Sequence, residues 1–358
     1  MCDFSKYGIP SEEWLRLAST LPPELDLSID ELQTATNAAR AAAAENLMKQ
    51  LDLASKVMMQ DHSIPGRDGY QIEARTYRSR NSASPADRKL PVYMYFHGGG
   101  FLYGSLQSED PLCSIVALRL NILVLHINYR HTPEYTYPTA WNDAEDAMAW
   151  LCKNACNINA DLDRIVIGGS SAGGHLTASL TRIVTTEPSK LQLSRHPTIL
   201  GQVLMIPWLV FADCYESQMR QIQDPSLSSY NQCAEANFLD SKTRNMFNNA
   251  LKVANSDPDD KRLNPGHLTA EEAKRMPPTT FAIAGYDPLR DEGLLYAKFL
   301  TEQGVPTDVH VFRGLPHGFR MMGNKLSACA EWDKVLLDGI QWALSKPTEA
   351  VEFVINEH

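Results

Sequence analysis

The apolar positions of this chain fall into short runs whose texture changes once, about sixty residues in. Before that point the sequence reads as helical. Ser28 followed by Glu31 makes a capping box, in which serine and glutamate oxygens answer the free backbone donors of a helix start. An alanine-rich stretch of high helix propensity then runs through Ala44 to about Leu51. Past Pro65 the turn signal Arg67-Asp68-Gly69 leads into Gln71–Tyr77 (QIEARTY), a strand pattern, and a polar loop is expected from Asn81 to Lys89. Three compact apolar runs follow, Val92–Phe96, Ile122–Ile127 and Ile165–Ile167. Helical segments separate the later ones, including Ala140–Cys152. Val203–Ile206, Thr280–Ala284 and Val309–Phe312 continue the series, and a helix from about Ser327 to Leu344 is expected to close the chain. Such alternation marks βαβ units and a parallel sheet buried on both faces.

One interval breaks the rhythm. Between Trp208 and about Leu263 there is no strand signal, only polar, helix-like sequence dotted with Phe211, Tyr215, Met219, Tyr230, Phe238, Met246 and Phe247. It is too long for a connector, and spaced aromatics argue against disorder. The expected organisation is therefore a cap built from residues 1–60 and 208–263 over a core of residues 61–207 and 264–358. Trp208, Phe211 and Tyr215 are its candidate substrate contacts.

Composition narrows the classes of partner. The chain has 358 residues, is 44% hydrophobic and carries a formal net charge of −10. Such a surface repels phosphate backbones and anionic headgroups, so neither nucleic acid nor a membrane surface is an expected partner. Seven cysteines are scattered in an odd number without a tight framework, and Met1–Pro10 lacks the layout of a signal peptide. No apolar run reaches the ~18 residues of a membrane helix. The expected location is cytoplasmic, with free thiols, and a homodimer stays open as an assembly.

Two glycine motifs carry the candidate chemistry. Gly169-Ser170-Ser171-Ala172-Gly173 follows the Ile165–Ile167 run and precedes a helix-like stretch, His175–Val184. This is the strand, sharp turn and helix of a nucleophile elbow, with Ser171 as nucleophile. His97-Gly98-Gly99-Gly100 ends the Val92–Phe96 run, and such a run of four would arise by chance in roughly two chains per thousand. There the backbone N–H groups of Gly99 and Gly100, with that of Ala172, could hold an oxyanion. His317 follows the Val309–Phe312 run and is the candidate base. Asp287 follows Thr280–Ala284 and would orient it, giving the chain order Ser, Asp, His. Asp291 is the rival carboxylate, expected on the helix that Pro288 opens, and Asp308 a weaker one. His126 reads as a buried strand residue, His131 as a loop residue and His175 as a helix residue at the site's edge. No His, Asp and Glu cluster suggests a metal.

Five motifs, His97–Ser105 (HGGGFLYGS), Tyr129–Glu134 (YRHTPE), Gly169–Gly174 (GSSAGG), Asp287–Glu292 (DPLRDE) and His317–Phe319 (HGF), resemble the hormone-sensitive-lipase branch of the α/β-hydrolases. The chain departs from that pattern at Ser170, where aspartate is usual, and at His175, where asparagine is usual. The resemblance implies a mostly parallel eight-stranded sheet with helices on both faces, a helical cap and no cofactor. It implies cleavage of a small-molecule carboxylic ester, of short or medium acyl group, through an acyl-enzyme on Ser171. A dehydratase, an acyltransferase or a small-molecule receptor on the same fold are the alternative classes.

Overall fold

The computed structural model describes residues 1–22, 27–81, 89–348 and 352–358. The polar loop expected over 81–89 lies almost wholly outside the described residues. The expected strands become β2 (Gln71–Ser79), β3 (Leu90–Phe96), β4 (Leu123–Asn128), β5 (Ala160–Ser170), β6 (Ile199–Met205), β7 (Thr279–Tyr286) and β8 (Thr307–Pro316). With β1 (Val57–Pro65) and β9 (Ile355–Glu357) they form one sheet in the order β1-β2-β4-β3-β5-β6-β7-β8-β9. Among the described residues pairing is antiparallel only between β1 and β2 and between β2 and β4; every other pair is parallel.

Two strands escaped the hydrophobic pattern, both at sheet edges. β1 buries Val57 and Ile64 and exposes the polar residues between them, so it reads as loop. β9 is held by backbone bonds, with Arg313 N donating to His358 O (3.0 Å) and His358 N to Val311 O (2.9 Å), and by Glu357, which accepts from Lys6, Tyr7 and Arg313 side chains. The His358 ring lies on Phe312. Among the described residues the sheet thus has nine strands where eight were expected, and the closing helix Ala328–Leu344 is followed by this last strand.

Because parallel strands are apolar on both sides, the sheet needs cover on both faces. Helices Leu106–Leu120 and Ala328–Leu344, with the fully buried Trp14, fill one core. Helices Thr139–Asn154, Ala172–Thr186 and Arg290–Glu302 fill the other.

The helix Ile29–Gln50 starts at the expected capping box and buries only Ala44. It is attached by polar side chains. Gln33, Asn37 and Arg40, spaced along one face, reach the backbone that follows β3. Gln33 Nε2 donates to Leu102 O (2.7 Å), Asn37 Oδ1 accepts from Gly104 N (2.8 Å) and Arg40 Nη1 donates to Gly98 O (3.1 Å). The segment 208–263 adds no strand to the sheet among the described residues; its longest helix is Ser241–Ala250. Among the described residues no helix is long and apolar enough to cross a membrane.

Candidate active site

Register explains how distant residues meet. Tyr286 of β7 pairs with Pro316 of β8, so the next residues along, Asp287 and His317, leave the sheet side by side. Phe96 of β3 pairs with Gly169 of β5, which sets the His97–Gly100 loop beside Ser171. All four chain segments leave at the carboxyl ends of their strands, where open parallel sheets gather their functional groups.

Ser171 has φ +54° and ψ −117°, a backbone that L-residues avoid and that a strained elbow imposes. The turn closes because Gly173 carries no side chain; a Cβ there would lie 2.0 Å from Phe96 O. Ser171 N donates to Met205 O (2.8 Å), which anchors the turn to β6. The hydroxyl donates to His317 Nε2 (2.9 Å), and His317 Nδ1–H donates to Asp287 Oδ2 (2.7 Å). Asp287 Oδ1 accepts in turn from Leu289 N (2.9 Å). Asp291 takes no part in this relay, because its oxygens accept from Ser229 N (2.6 Å) and Arg290 Nε (2.8 Å). Asp308 pairs with His310 at the start of β8.

Gly100, at φ +60°, brings its backbone against the ring of Phe247, 2.5 Å from where a Cβ would stand. Ala172 opens the helix Ala172–Thr186, so its N–H is one of the free donors of that helix start. Among the described residues, the N–H groups of Gly99, Gly100 and Ala172 donate to no backbone carbonyl. They are available to a ligand oxygen.

A narrow cavity opens on Ser171 and Gly100. Trp208, Leu239 and Leu289 wall it, and the insertion helix contributes Arg244 and Phe247. Its free volume is about 10 Å³, roughly the room for one water molecule. Of the three expected substrate contacts, Trp208 lines this cavity. Phe211 and Tyr215 are buried outside its lining: Phe211 N donates to Asn264 Oδ1 (2.9 Å), and Tyr215 stacks on Tyr230 at 3.6 Å.

Three further histidines, His175, His97 and His126, are buried. His175 sits among Phe101, Trp141 and Trp208, and its Nε2–H donates to Arg262 O (2.9 Å). Burial brings its pKa down to about 4. His97 and His126 are held neutral in the same way, lowered by burial to about 3 and about 4. Below the glycine loop, Arg40 Nη2 donates to Glu109 (2.7 Å), whose carboxylate also accepts from Tyr95 Oη (3.0 Å).

Sequence reasoning missed Arg244 and the polar face of the Ile29–Gln50 helix. A lone arginine in a polar insertion carries no pattern of its own. Gln33, Asn37 and Arg40 do share a helix face, but nothing in the sequence says which backbone they meet.

Residues 93–321 match the model of a family described as alpha/beta hydrolase fold. The chain is 34% identical to Esterase LipI of Mycobacterium tuberculosis over 237 residues, 66% of this chain and 67% of that one. It is 29% identical to the versiconal hemiacetal acetate esterase of Dothistroma septosporum, over 77% of this chain and 79% of the relative. Among solved structures, vibralactone cyclase superposes with a TM-score of 0.82 at 27% identity, covering 95% of this chain and 96% of that one.

Proposed function

The chain belongs to the α/β-hydrolase family, in its hormone-sensitive-lipase-like branch, and from that premise we propose that Ser171, His317 and Asp287 are the catalytic triad of an ester-cleaving site. The protein is a carboxylic ester hydrolase acting on small-molecule esters. The observation that carries the assignment of residues is the unbroken hydrogen-bond relay from Ser171 through His317 to Asp287 beside three free backbone donors.

In this reading Ser171 Oγ attacks the ester carbonyl carbon while its proton passes to His317 Nε2. Asp287 holds the imidazole in the right tautomer and stabilises its charge. The oxyanion rests on the N–H groups of Gly99, Gly100 and Ala172. Collapse breaks the bond from carbonyl carbon to alkoxy oxygen, and the leaving alcohol takes the proton from Nε2. Water then gives a proton to Nε2 and its hydroxide to the acyl carbon. The Ser171 ester bond breaks and Oγ recovers its proton. The acyl group is taken to be short or medium, with Trp208 in the wall beside Ser171. Residues 1–60 and 208–263 act as the cap over a core of 61–207 and 264–358. Arg244 and Phe247 in the cavity, and the bonds of Gln33, Asn37 and Arg40 to the glycine loop, support that division.

The likeness to vibralactone cyclase favours a second reading of the last step. A hydroxyl of the substrate itself could replace water as acyl acceptor and close a ring. Chromatography of the products from a hydroxy-ester distinguishes lactone from free acid.

The test of the triad is Ser171→Ala. It should abolish labelling by an organophosphonate and lower ester turnover by several orders of magnitude. Labelling that persists at another serine overturns the assignment.

A further inference from the structure

The proposed triad leaves one charged group in the cavity without a task. Arg244 and Phe247 stand one turn apart on the helix Ser241–Ala250 and face the same small space as Ser171. The Arg244 guanidinium carbon lies over the ring of Tyr230, 3.8 Å from its centre, and Tyr230 is itself stacked on Tyr215. Stacking fixes the plane of the group and leaves its in-plane donors unsatisfied. Nε and Nη1 are shut off from solvent, and among the described residues neither has a hydrogen-bond partner. No carboxylate among the described residues makes an ion pair with Arg244. Glu292, within electrostatic reach, does not balance it. Its Oε1 accepts from Leu209 N and Val210 N, and burial pushes its pKa well above the usual carboxyl range, which favours the neutral acid. An unpaired, immobilised, partly desolvated cation beside a nucleophile is costly to maintain and is balanced when an anion binds.

We infer that Arg244 is a specificity residue for esters that carry a carboxylate a few bonds from the scissile carbonyl. The guanidinium would accept that carboxylate through charge-assisted hydrogen bonds, and Phe247 would pack on the chain joining the two groups. The separation is short because Ser171 and Arg244 line the same small cavity. The whole chain, at formal charge −10, repels anions over long range, so a preference for an anionic ester must come from a local cation. The inference rests on the esterase reading above and adds the substrate class.

The carboxylate could sit on the acyl or the alcohol side, so two matched pairs test it. One pair is the 4-nitrophenyl hemiester of glutaric acid against its methyl-capped diester. The other is the acetate ester of 3-hydroxybutyric acid against the methyl ester of that acetate. In at least one pair the anionic member should have a kcat/KM at least tenfold higher, about 1.4 kcal/mol. Arg244→Gln should lower that anionic-to-neutral ratio at least tenfold, mainly through KM, and Arg244→Lys should keep part of it. Whichever pair responds names the side that carries the charge. Equal or lower kcat/KM for the anionic member in both pairs, or a ratio unchanged in folded Arg244→Gln, overturns the inference. A separate arm does not depend on turnover: glutaramic acid should protect Ser171 from organophosphonate labelling in the unaltered protein, in part in Arg244→Lys and far less in Arg244→Gln. Absence of turnover on all four esters with protection intact counts against the esterase reading alone. Absence of protection counts against the Arg244 site.

Discussion

Arg40→Met keeps most of the length of the side chain and removes its charge, and it should loosen both the fold and the proposed oxyanion loop. The guanidinium spans Glu109 Oε1 (2.7 Å) and Gly98 O (3.1 Å), with the Arg40 side chain 29% exposed and that of Glu109 11%. Cutting one partner from a fully buried pair costs ~3–5 kcal/mol. Here the arginine is partly hydrated, and Tyr95 and Ser108 still donate to Glu109, so about 2–3 kcal/mol is expected. The loss should depend on pH. Burial alone would raise the Glu109 pKa, but the charge of Arg40, with His126 and His97 behind it, brings it down to about 2. A folded pKa below the unfolded value of ~4.3 means stability that is present above that value and fades as pH falls through about 2. The gap between the unaltered protein and Arg40→Met should therefore narrow between pH 5 and pH 2. Catalysis should suffer as well. A lost oxyanion donor costs ~10²–10³ in kcat, and a loop that is loosened but intact should lose about 10-fold, with KM changing less. Denaturant unfolding across pH, together with kcat on a small neutral ester, measures both effects. A double-mutant cycle with Glu109→Gln isolates the pair. Additive single effects, a stability gap that does not change with pH, or an unaltered kcat would refute the idea that the N-terminal helix holds this loop.

Asp287→Asn should lower turnover by ~10⁴, the scale for a triad aspartate whose loss leaves the wrong histidine tautomer. Asp291→Asn should instead lower melting temperature, since Asp291 ties Ser229 and Arg290; exchanged outcomes in steady-state kinetics would make Asp291 the triad member. Gly100→Ala combines φ +60° with a Cβ 2.5 Å from the Phe247 ring, and should cut kcat by ~10²-fold while Ser171 still reacts with a small phosphonate. An unimpaired kcat would remove Gly100 from the oxyanion hole. Ending the chain at residue 351 removes β9 and bares the β8 edge, so self-association by edge pairing should rise. Light scattering that stays at the mass of the full-length state would show that β9 does not guard this edge.

Much of the architecture was legible because a strand buried on both faces must be a continuous apolar run. That condition marked six strands, from Val92–Phe96 to Val309–Phe312, and the alternating pattern after a turn signal marked Gln71–Tyr77. Edge strands face no such demand: β1 exposes Gln60 and Asp61, and β9 pairs through its backbone, so neither left a trace. The elbow and the glycine loop were legible for a related reason. Gly173 and Gly100 stand where backbone or ring atoms approach within 2.5 Å of a missing Cβ, a constraint that selects one residue type. Chain order proposed Asp287 over Asp291, but tertiary register separated their partners: Tyr286 aligned with Pro316 delivers Asp287 to His317, while Asp291 turns to Ser229. Likewise the aromatics of the insertion look alike in sequence. Only packing put Phe247 over Gly100, left Phe211 and Tyr215 outside the cavity, and laid Arg244 on Tyr230. Backbone demands are local and restrict which residues can stand at a position. The partner of a side chain is set by elements tens or hundreds of residues away, and no single position records it.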